Sequence, residues 1–306
     1  MNATRALLDD GRWHFQHGPI DLVIGAEGEA SAVAAAHEAA WQRFEAVLFE
    51  LVAELPLLRA PVGESCALKG RVAQRMWHAC HPYRAGFITP MAAVAGSVAQ
   101  EIIAHYTGPG ITRAWVNNGG DIALHLSPEA LVRIGLWSDL ARLDETALAG
   151  NLATDARFTV HASMPVRGVA TSGWRGRSFS MGIADSVTVL AATAAEADAA
   201  ATVIANAVDL VHEGIVRRPA NTLKDDTDLG ERLVTVDVPP LAQQFVHRAL
   251  DKGLVRAREL MAAGLVWHVA LVCQDWLVTL DDVRPRHLHP SAIPDVTHSA
   301  VGAVIA

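Results

Sequence analysis

Residues 167–206 carry three features whose residue types could together hold an anion and a divalent cation. A short strand ends in a Gly-containing turn of three candidate ligand-binding residues, Thr171, Ser172 and Gly173. Glycine lets the backbone bend and present N–H groups, which suits a phosphate-bearing ligand. A second short strand at 186–190 leads into an Ala-rich helix with Asp198 and Thr202 one turn apart. A carboxylate and a hydroxyl at this spacing share a helix face and offer hard oxygens to Mg²⁺, so these two residues are the candidate metal ligands.

The polar stripe of this helix has two interpretations. Asp198, Thr202 and Asn206 fall at steps of four on a helix otherwise built from Ala, Val and Ile. The stripe could simply face solvent. Alternatively, it faces a polar ligand or a cation inside the protein, because burying an unpaired carboxylate is costly.

A second candidate ligand-binding stretch is the sequence N-N-G-G-D at 117–121. Asn and Gly tolerate positive φ, so this stretch predicts a tight turn between two strands. It is either an ordinary hairpin or a loop whose N–H groups and carboxylate face a ligand. The candidate binding residues in it are Asn117, Gly119, Gly120 and Asp121.

The sequence M-W-H-A-C-H at 76–81 raises the question of a metal site. The spacing of His78, Cys80 and His81 matches no usual zinc pattern, and no second ligand pair follows at finger-like spacing. We therefore interpret this segment as a strand with alternating sides, and the sequence assigns no role to these three residues.

Composition excludes several classes of function. The chain has 306 residues, of which 51% are hydrophobic and 19% charged, as expected of a compact soluble protein. The net charge is −8 and no basic run occurs, which argues against a general nucleic-acid binder. The apolar segments are interrupted by polar residues and the N-terminus lacks the apolar stretch of a signal peptide, so neither a membrane span nor export is expected. Three widely spaced cysteines give no disulfide framework and favour a cytoplasmic location.

The apolar pattern predicts an α+β protein. Two strands are expected around a turn at 18–19, followed by a long helix at 29–55. A later helix is expected to begin with Thr89 as N-cap and Pro90 in its first turn. Gly96 inside that helix costs about 1 kcal/mol relative to Ala, which indicates the close approach of another backbone or of a ligand.

The order of the predicted elements suggests an internal duplication. A strand pair, a long helix, a second helix and a strand pair recur in coarse form, although no close sequence repeat is present. One domain over 1–306, built from antiparallel sheets backed by helices, is expected. The stretch 139–155 is predicted to be a polar connection. The Pro- and His-containing tail at 284–306 is predicted to be a surface arm that could make homodimer contacts.

Four motifs in order carry a resemblance to a known family. They are N-N-G-G-D-I at 117–122, V-A-T-S-G at 169–173, S-V-T-V at 186–189 and A-D-A-A-A-T at 197–202. In these motifs the chain resembles the ApbE-like superfamily, whose best-known members are FAD:protein FMN transferases. The nearer resemblance is to the uncharacterised UPF0280 branch, and it extends over nearly the whole chain.

The resemblance implies a fold, a ligand and a metal. The fold would be a tandem T-fold-like duplication of antiparallel sheets. By the match to the transferases, Mg²⁺ would lie on Asp198 and Thr202, and FAD or FMN beside the following residues: Gly119, Gly120, Asp121, Ser172 and Gly173. In those enzymes Mg²⁺ activates the FAD pyrophosphate, so that a threonine of an acceptor protein can take FMN.

One departure from the family pattern bears on the activity. The transferases carry His-x-x-Asp-Pro-x-Thr-Gly between the second and third motifs, whereas residues 174–185 here read W-R-G-R-S-F-S-M-G-I-A-D. The lysine expected before the buried helix is also replaced, by the region of Pro90 and Met91. Three hypotheses follow: a flavin-binding protein with or without FMN transfer, a T-fold-like enzyme acting on a pterin or related precursor, and a non-catalytic ligand-binding or assembly protein.

Overall fold

The computed structural model describes residues 2–136, 156–274, 276–281 and 301–302. The predicted connection at 139–155 lies outside these residues, as does the predicted arm at 284–306 apart from 301–302. The strands in chain order are β1 Thr4–Leu7, β2 Trp13–His17, β3 Ile20–Gly28, β4 Ile111–Asn118, β5 Asp121–Leu126, β6 Leu131–Leu136, β7 Ala156–His161, β8 Gly168–Ser172, β9 Ser186–Ala191, β10 Val216–Pro219, β11 Leu233–Asp237, β12 His268–Cys273, β13 Trp276–Asp281 and β14 Val301–Gly302.

Six α-helices occur in the described residues. They are α1 Ala30–Ala53, α2 Leu55–Leu58, α3 Arg71–Cys80, α4 Val94–Ile103, α5 Ala194–Ala207 and α6 Gln243–Ala262. Short 3₁₀ turns lie at His81–Tyr83, Pro90–Ala93, Ala104–Tyr106 and Ala220–Thr222. Within this part of the chain, none of the helices has the length and apolar character needed to cross a bilayer.

A nine-stranded sheet organises the protein, in the order β1-β2-β3-β4-β5-β8-β9-β12-β13, and every neighbouring pair in it is antiparallel. A second sheet, β14-β6-β7, has three strands, and a third consists of β10 and β11. Helices combined with mainly antiparallel sheets confirm the predicted α+β class, while the tandem T-fold-like duplication stays a prediction.

The middle strands of the nine-stranded sheet are buried on both faces. Successive side chains of a strand point to opposite faces, and Trp115 and Val116 of β4 accordingly belong to two different cores. The core on the side of Val116 is completed by α1, α3, α4, α5 and α6. The core on the side of Trp115 includes Val132 and Ile134 of β6 and Val160 of β7. All six residues of β9 are buried, as expected of a strand covered on both sides.

Helix α1 confirms the periodic pattern of the sequence. Its buried residues recur at steps of three and four: Ala36, Ala40, Phe44, Val47 and Leu51. The helix ends at Ala53, close to the predicted end at residue 55, and α2 follows after one residue.

One local prediction was wrong, and another is confirmed only in part. Residues 76–81 do not form a strand, because α3 extends to Cys80 and His81 begins a 3₁₀ turn. The buried side chains of α3 have helical rather than alternating spacing: Val72, Ala73, Met76, Trp77, Ala79 and Cys80. Thr89 is the N-cap residue and Pro90 lies in the first turn, as predicted, but the Thr89 side chain makes no capping hydrogen bond. The helix that they open is a 3₁₀ turn, and α4 begins only at Val94.

Helices α4 and α5 meet at a glycine. A Cβ at Gly96 would lie 2.2 Å from the Ala194 carbonyl oxygen and 2.9 Å from the Asp198 Cβ. No side chain fits between two backbones at that distance. The predicted close approach at Gly96 is therefore confirmed, and the Ala-rich composition of α5 is what permits it.

We expect Gly96→Ala to destabilise the protein by roughly 1–3 kcal/mol, although alanine is the better helix former, because the added methyl group overpacks the α4–α5 contact. Urea denaturation measures the change. Gly63 is the control, since nothing lies within 4 Å of a Cβ built there. Equal stability of the Gly96→Ala and Gly63→Ala variants would contradict the close contact.

Candidate functional site

Hydrogen bonds within the protein fix the conformation of the turn between β4 and β5. Gly119 has φ 64° and Gly120 has φ 110°, values that side-chain-bearing residues rarely adopt. The buried Asn117 accepts a hydrogen bond from the Gly120 N–H through Oδ1 at 2.8 Å. Asn118 donates from Nδ2 to the Ala95 carbonyl oxygen at 3.1 Å, which ties the turn to the start of α4. The predicted turn is confirmed as a hairpin, with Asn117 supporting it from inside.

Asp121 leaves this turn as a buried carboxylate. Its Oδ1 accepts a hydrogen bond from the Thr171 N–H of β8 at 3.1 Å. Burial raises the pKa of Asp121 well above its usual value, and the negative charge of Asp198 raises it further. The structure thus brings Asp121 and Thr171, both predicted site residues, into direct contact and places Asp198 within electrostatic range of them.

Asp198 is the second acid of the site. It is partly buried, and its Oδ2 accepts a hydrogen bond from the Gly96 N–H at 2.9 Å. Burial raises the pKa of Asp198 to about 7, even though backbone hydrogen bonds at Gly96 and Ala95 favour the charged form. The glycine that permits close helix packing also supplies this N–H group.

No basic side chain of the described residues compensates the two acids. Glu101 shows the contrasting arrangement. It is also buried, but Arg43 Nε and Arg75 Nη1 each lie 2.8 Å from its carboxylate oxygens. Despite the opposing effect of burial, these guanidinium groups lower the pKa of Glu101. The charge of Glu101 is therefore offset by two arginines, whereas Asp121 and Asp198 form an uncompensated acid pair.

The other members of the polar stripe have different surroundings. Thr202, one turn from Asp198, is partly buried, and its hydroxyl has no hydrogen-bond partner among the residues that the structure describes. Asn206 accepts hydrogen bonds through Oδ1 from the Met181 N–H at 2.9 Å and from the Ser180 hydroxyl at 3.2 Å. Asn206 thus holds a loop, while Asp198 and Thr202 remain the candidate metal ligands.

The turn after β8 is fixed by contacts within the protein. The Thr171 hydroxyl lies 2.9 Å from the Thr188 hydroxyl of β9. A Cβ at Gly173 would lie 2.1 Å from the Asp185 carbonyl oxygen, so backbone packing alone requires glycine there. That Ser172 and Gly173 contact a ligand stays a prediction.

Arg177 was not predicted. It is exposed, and its Nη1 would lie 3.1 Å from a Cβ on Gly119, so the guanidinium rests on the β4–β5 turn. The available signal was the arginine-containing stretch W-R-G-R, which directly follows the T-S-G turn.

A buried cysteine, Cys80, lies within electrostatic range of Asp198. Burial, with smaller contributions from Asp198 and Asp228, raises the pKa of Cys80 well above its usual value, which keeps the thiol protonated. Asp228 in turn accepts a hydrogen bond from the buried Thr89 hydroxyl. In the described part of the chain, no three His, Cys, Asp or Glu side chains are placed to hold a metal ion together.

An open groove of about 620 Å³ lies elsewhere, between β1–β3 and α1. Its lining includes Arg5, Trp13, Glu27 and His37, and none of the predicted site residues contributes to it.

Comparison with known proteins gives a family match over most of the chain. A model of the family described as "AbpE bacteria" matches residues 5–284. A UPF0280 protein of Methanothrix thermoacetophila is 36% identical over 191 residues, which cover 60% of this chain and 73% of that protein. A UPF0280 protein of Methanothermobacter thermautotrophicus is 40% identical over 123 residues, which cover 40% of this chain and 43% of that protein. A third, from Methanococcoides burtonii, is matched over 49% of its length, so the chain spans about half of some of these relatives.

Solved structures are similar at lower identity. The apo form of the flavinyl transferase ApbE of Pseudomonas stutzeri has a TM-score of 0.42 at 12% identity, and the match covers 92% of this chain and 94% of that one. The ApbE protein of Thermotoga maritima has a TM-score of 0.48 at 12% identity, with coverage of 92% and 96%.

The raised pKa of Asp198 predicts how stability changes with pH. The folded chain retains a proton up to about pH 7, whereas the unfolded chain releases it near 3.8, so this contribution to stability is complete at low pH and is lost as pH rises through about 7. Without divalent cations, we expect Asp198→Asn to exceed the parent in stability by roughly 1–3 kcal/mol at about pH 8, and by less at about pH 5.

Urea denaturation at both pH values, in the presence of a chelator, measures this difference. Asp9→Asn is the control, because Asp9 is exposed. Comparing variants at the same pH cancels the contribution of the histidines. A stability difference independent of pH would show that Asp198 is charged throughout.

Proposed function

Because the chain belongs to the family described as AbpE bacteria, we propose that it binds a phosphate-bearing flavin, FAD or FMN, together with a divalent cation. The cation lies at Asp121, Asp198 and Thr202, and the ligand lies against the β4–β5 turn and the turn after β8. A flavin is preferred over other planar ligands because four motifs occur in the order found in ApbE-like transferases: 117–122, 169–173, 186–189 and 197–202.

The observation that carries the proposal is the uncompensated acid pair. Two carboxylates from different parts of the fold approach each other in a largely buried place, and burial raises the pKa of both. Such an arrangement costs free energy unless a proton or a cation occupies it. Acids whose pKa is raised and which no cationic side chain of the described residues compensates are typical of functional sites.

The donor atoms fit Mg²⁺. The carboxylates of Asp121 and Asp198 and the hydroxyl of Thr202 are all hard oxygens, which this ion prefers. Mg²⁺ commonly takes only one or two protein carboxylates and completes its shell with water and ligand phosphates. In the described residues no third metal-binding side chain joins the two acids, which is consistent with this preference. A bound Mg²⁺ would neutralise phosphate charge and polarise a phosphorus–oxygen bond.

The protein's own groups set the orientation of the two acids. The Gly96 N–H donates to Oδ2 of Asp198, a carboxylate that also receives a backbone hydrogen bond at Ala95, and the Thr171 N–H donates to Oδ1 of Asp121. The other oxygen of Asp121 accepts no hydrogen bond from the described residues and is available to a ligand. Because the donors are backbone groups, α4 sets the orientation of the Asp198 carboxylate and β8 sets that of the Asp121 carboxylate. This is the preorganisation that cation binding requires.

FMN transfer is the finer part of the proposal. In that reaction a threonine oxygen of an acceptor protein bonds to the phosphorus of the FMN half of FAD, the pyrophosphate bond breaks, AMP leaves, and the hydroxyl proton passes to solvent. The segment 174–185 lacks the His, Pro and Thr of the transferase motif. We therefore propose a flavin-binding protein in which transfer is slow. A pterin-directed enzyme and a non-catalytic protein stay alternative hypotheses.

The location and partners are also part of the proposal. All three cysteines lie among the described residues and are unpaired, which supports a reducing cytoplasm. An acceptor protein would be needed only if FMN is transferred. A homodimer stays a prediction, because the arm assigned to it lies mostly outside the described residues.

Mg²⁺ is expected to tighten FAD binding to the parent protein by roughly tenfold or more, and Asp198→Asn is expected to lose that enhancement. Calorimetric titration of FAD with and without Mg²⁺ measures it. The enhancement should weaken as pH falls below about 7, because protons then compete with the cation for Asp198. Asp9→Asn should behave like the parent. Equal enhancement in the parent and in Asp198→Asn would remove Asp198 from the cation site.

A transfer assay tests the activity. The parent is incubated with FAD, Mg²⁺ and a peptide that has an exposed threonine, and mass spectrometry follows FMN-peptide and AMP. We expect at most trace product because the transferase motif is absent, and none in a matched reaction with a chelator. Multiple turnovers with equal amounts of FMN-peptide and AMP would show that this chain catalyses transfer without that motif.

A further inference from the structure

The segment that stands in place of the transferase motif is a loop fixed at both ends. At its start the Trp174 N–H donates to the Ala184 carbonyl oxygen at 3.0 Å. At its end the Met181 N–H and the Ser180 hydroxyl donate to Asn206. The Gly182 backbone then packs so closely on α5 that a Cβ there would lie 2.1 Å from the Ala205 carbonyl oxygen. We call residues 174–181 the arginine loop.

Arg175, one of the two arginines in this loop, stabilises the start of the loop. Arg175 Nε lies 2.8 Å from Asp185 Oδ1, and its guanidinium lies 5.2 Å from the centre of the Trp174 ring. Trp174 Nε1 donates to the same carboxylate at 3.1 Å. Asp185 also accepts the Gln274 N–H. The charge of Arg175 is therefore neutralised, and this cluster fixes the start of the loop.

The other arginine is differently placed. Arg177 is exposed and forms no ion pair or hydrogen bond with any residue that the structure describes. Its Nη1 would lie 3.1 Å from a Cβ on Gly119, so the guanidinium lies close against the backbone of the turn. The arginine loop thus places a positive charge, which no described residue neutralises, beside the turn that precedes Asp121.

The two ends of the turn therefore differ in charge. Arg177 lies over Gly119, and two residues later Asp121 faces Asp198. The acids suit a cation, whereas a guanidinium with several unused N–H donors suits a phosphate oxygen, which it can bind in a bidentate manner. An anionic ligand could engage Arg177 directly without any metal ion.

We propose that Arg177 binds the phosphate or pyrophosphate group of the ligand against the β4–β5 turn, and that it does so independently of the divalent cation. The identity of the ligand as a flavin rests on the proposed function, but the anion site does not. Arg177 would then select ligands that carry a terminal or bridging phosphate over the same ring system without phosphate.

The test compares Arg177→Gln with the parent, using three probes in the presence of a chelator: FAD, riboflavin and inorganic pyrophosphate. A charge-assisted pair of hydrogen bonds predicts that Arg177→Gln weakens FAD and pyrophosphate binding by about 10–100-fold and leaves riboflavin binding unchanged. Arg177→Lys should restore only part of the affinity, because an ammonium cannot form the bidentate contact. Arg218→Gln is the control, because Arg218 is also exposed and has no ion pair with the described residues. It lies on β10, outside the proposed site.

Each outcome has one meaning. Pyrophosphate binding that depends on Arg177, while FAD binds neither in chelator nor with Mg²⁺ added, supports the anion site and contradicts the flavin proposal. FAD binding with parental affinity in Arg177→Gln overturns the anion site and leaves the flavin proposal standing. Failure of pyrophosphate to bind the parent also overturns the anion site. An equal loss of riboflavin affinity would assign Arg177 to the ring rather than to phosphate, and would overturn the inference as well.

Discussion

The contact between α4 and α5 at Gly96 is the constraint on which the rest of this structure depends. It requires a residue without a side chain on one helix and small residues on the other, and it brings the helices close enough for the Gly96 N–H to reach Asp198. The same start of α4 holds the β4–β5 turn through Asn118 and the Ala95 carbonyl oxygen. Helix packing and the position of both acids are thus consequences of one contact.

Three acids packed around α4 fall into two groups with different physical roles. Glu101 joins α4 to α1 and α3 through Arg43 and Arg75, so its charge is offset within the protein. Asp121 and Asp198 receive only backbone N–H groups and repel each other. The fold stabilises the first arrangement by itself. The acid pair is favourable only when a proton or a cation from solvent neutralises it. The nearby Arg177 gives the same region a positive charge that no described residue pairs with.

Much of the fold could be predicted because local patterns were long or chemically specific. The spacing of apolar residues located α1, and N-N-G-G-D located the β4–β5 hairpin. The segment 76–81 was misassigned because six residues can be read as alternating, whereas the helical spacing is evident only over all of α3. Asp121 and Asp198 could be named as separate candidates, but their juxtaposition depends on strand order and helix packing. Arg177 was not predicted for the same reason, since Gly119, the turn residue beside it, lies far away in the sequence.

The wide separation in sequence of the site's components has a consequence for how the protein folds. The hydrogen bond from Gly96 to Asp198 joins residues 102 positions apart, and that from Thr171 to Asp121 joins residues 50 positions apart. Contacts of this kind close long loops, and their entropic cost must be met before they stabilise the chain. The acid pair is therefore assembled only when the middle of the sheet and the helix layer are in place. A ligand that needs both acids would bind only the chain in which these contacts are made, and it would favour that folded state by mass action.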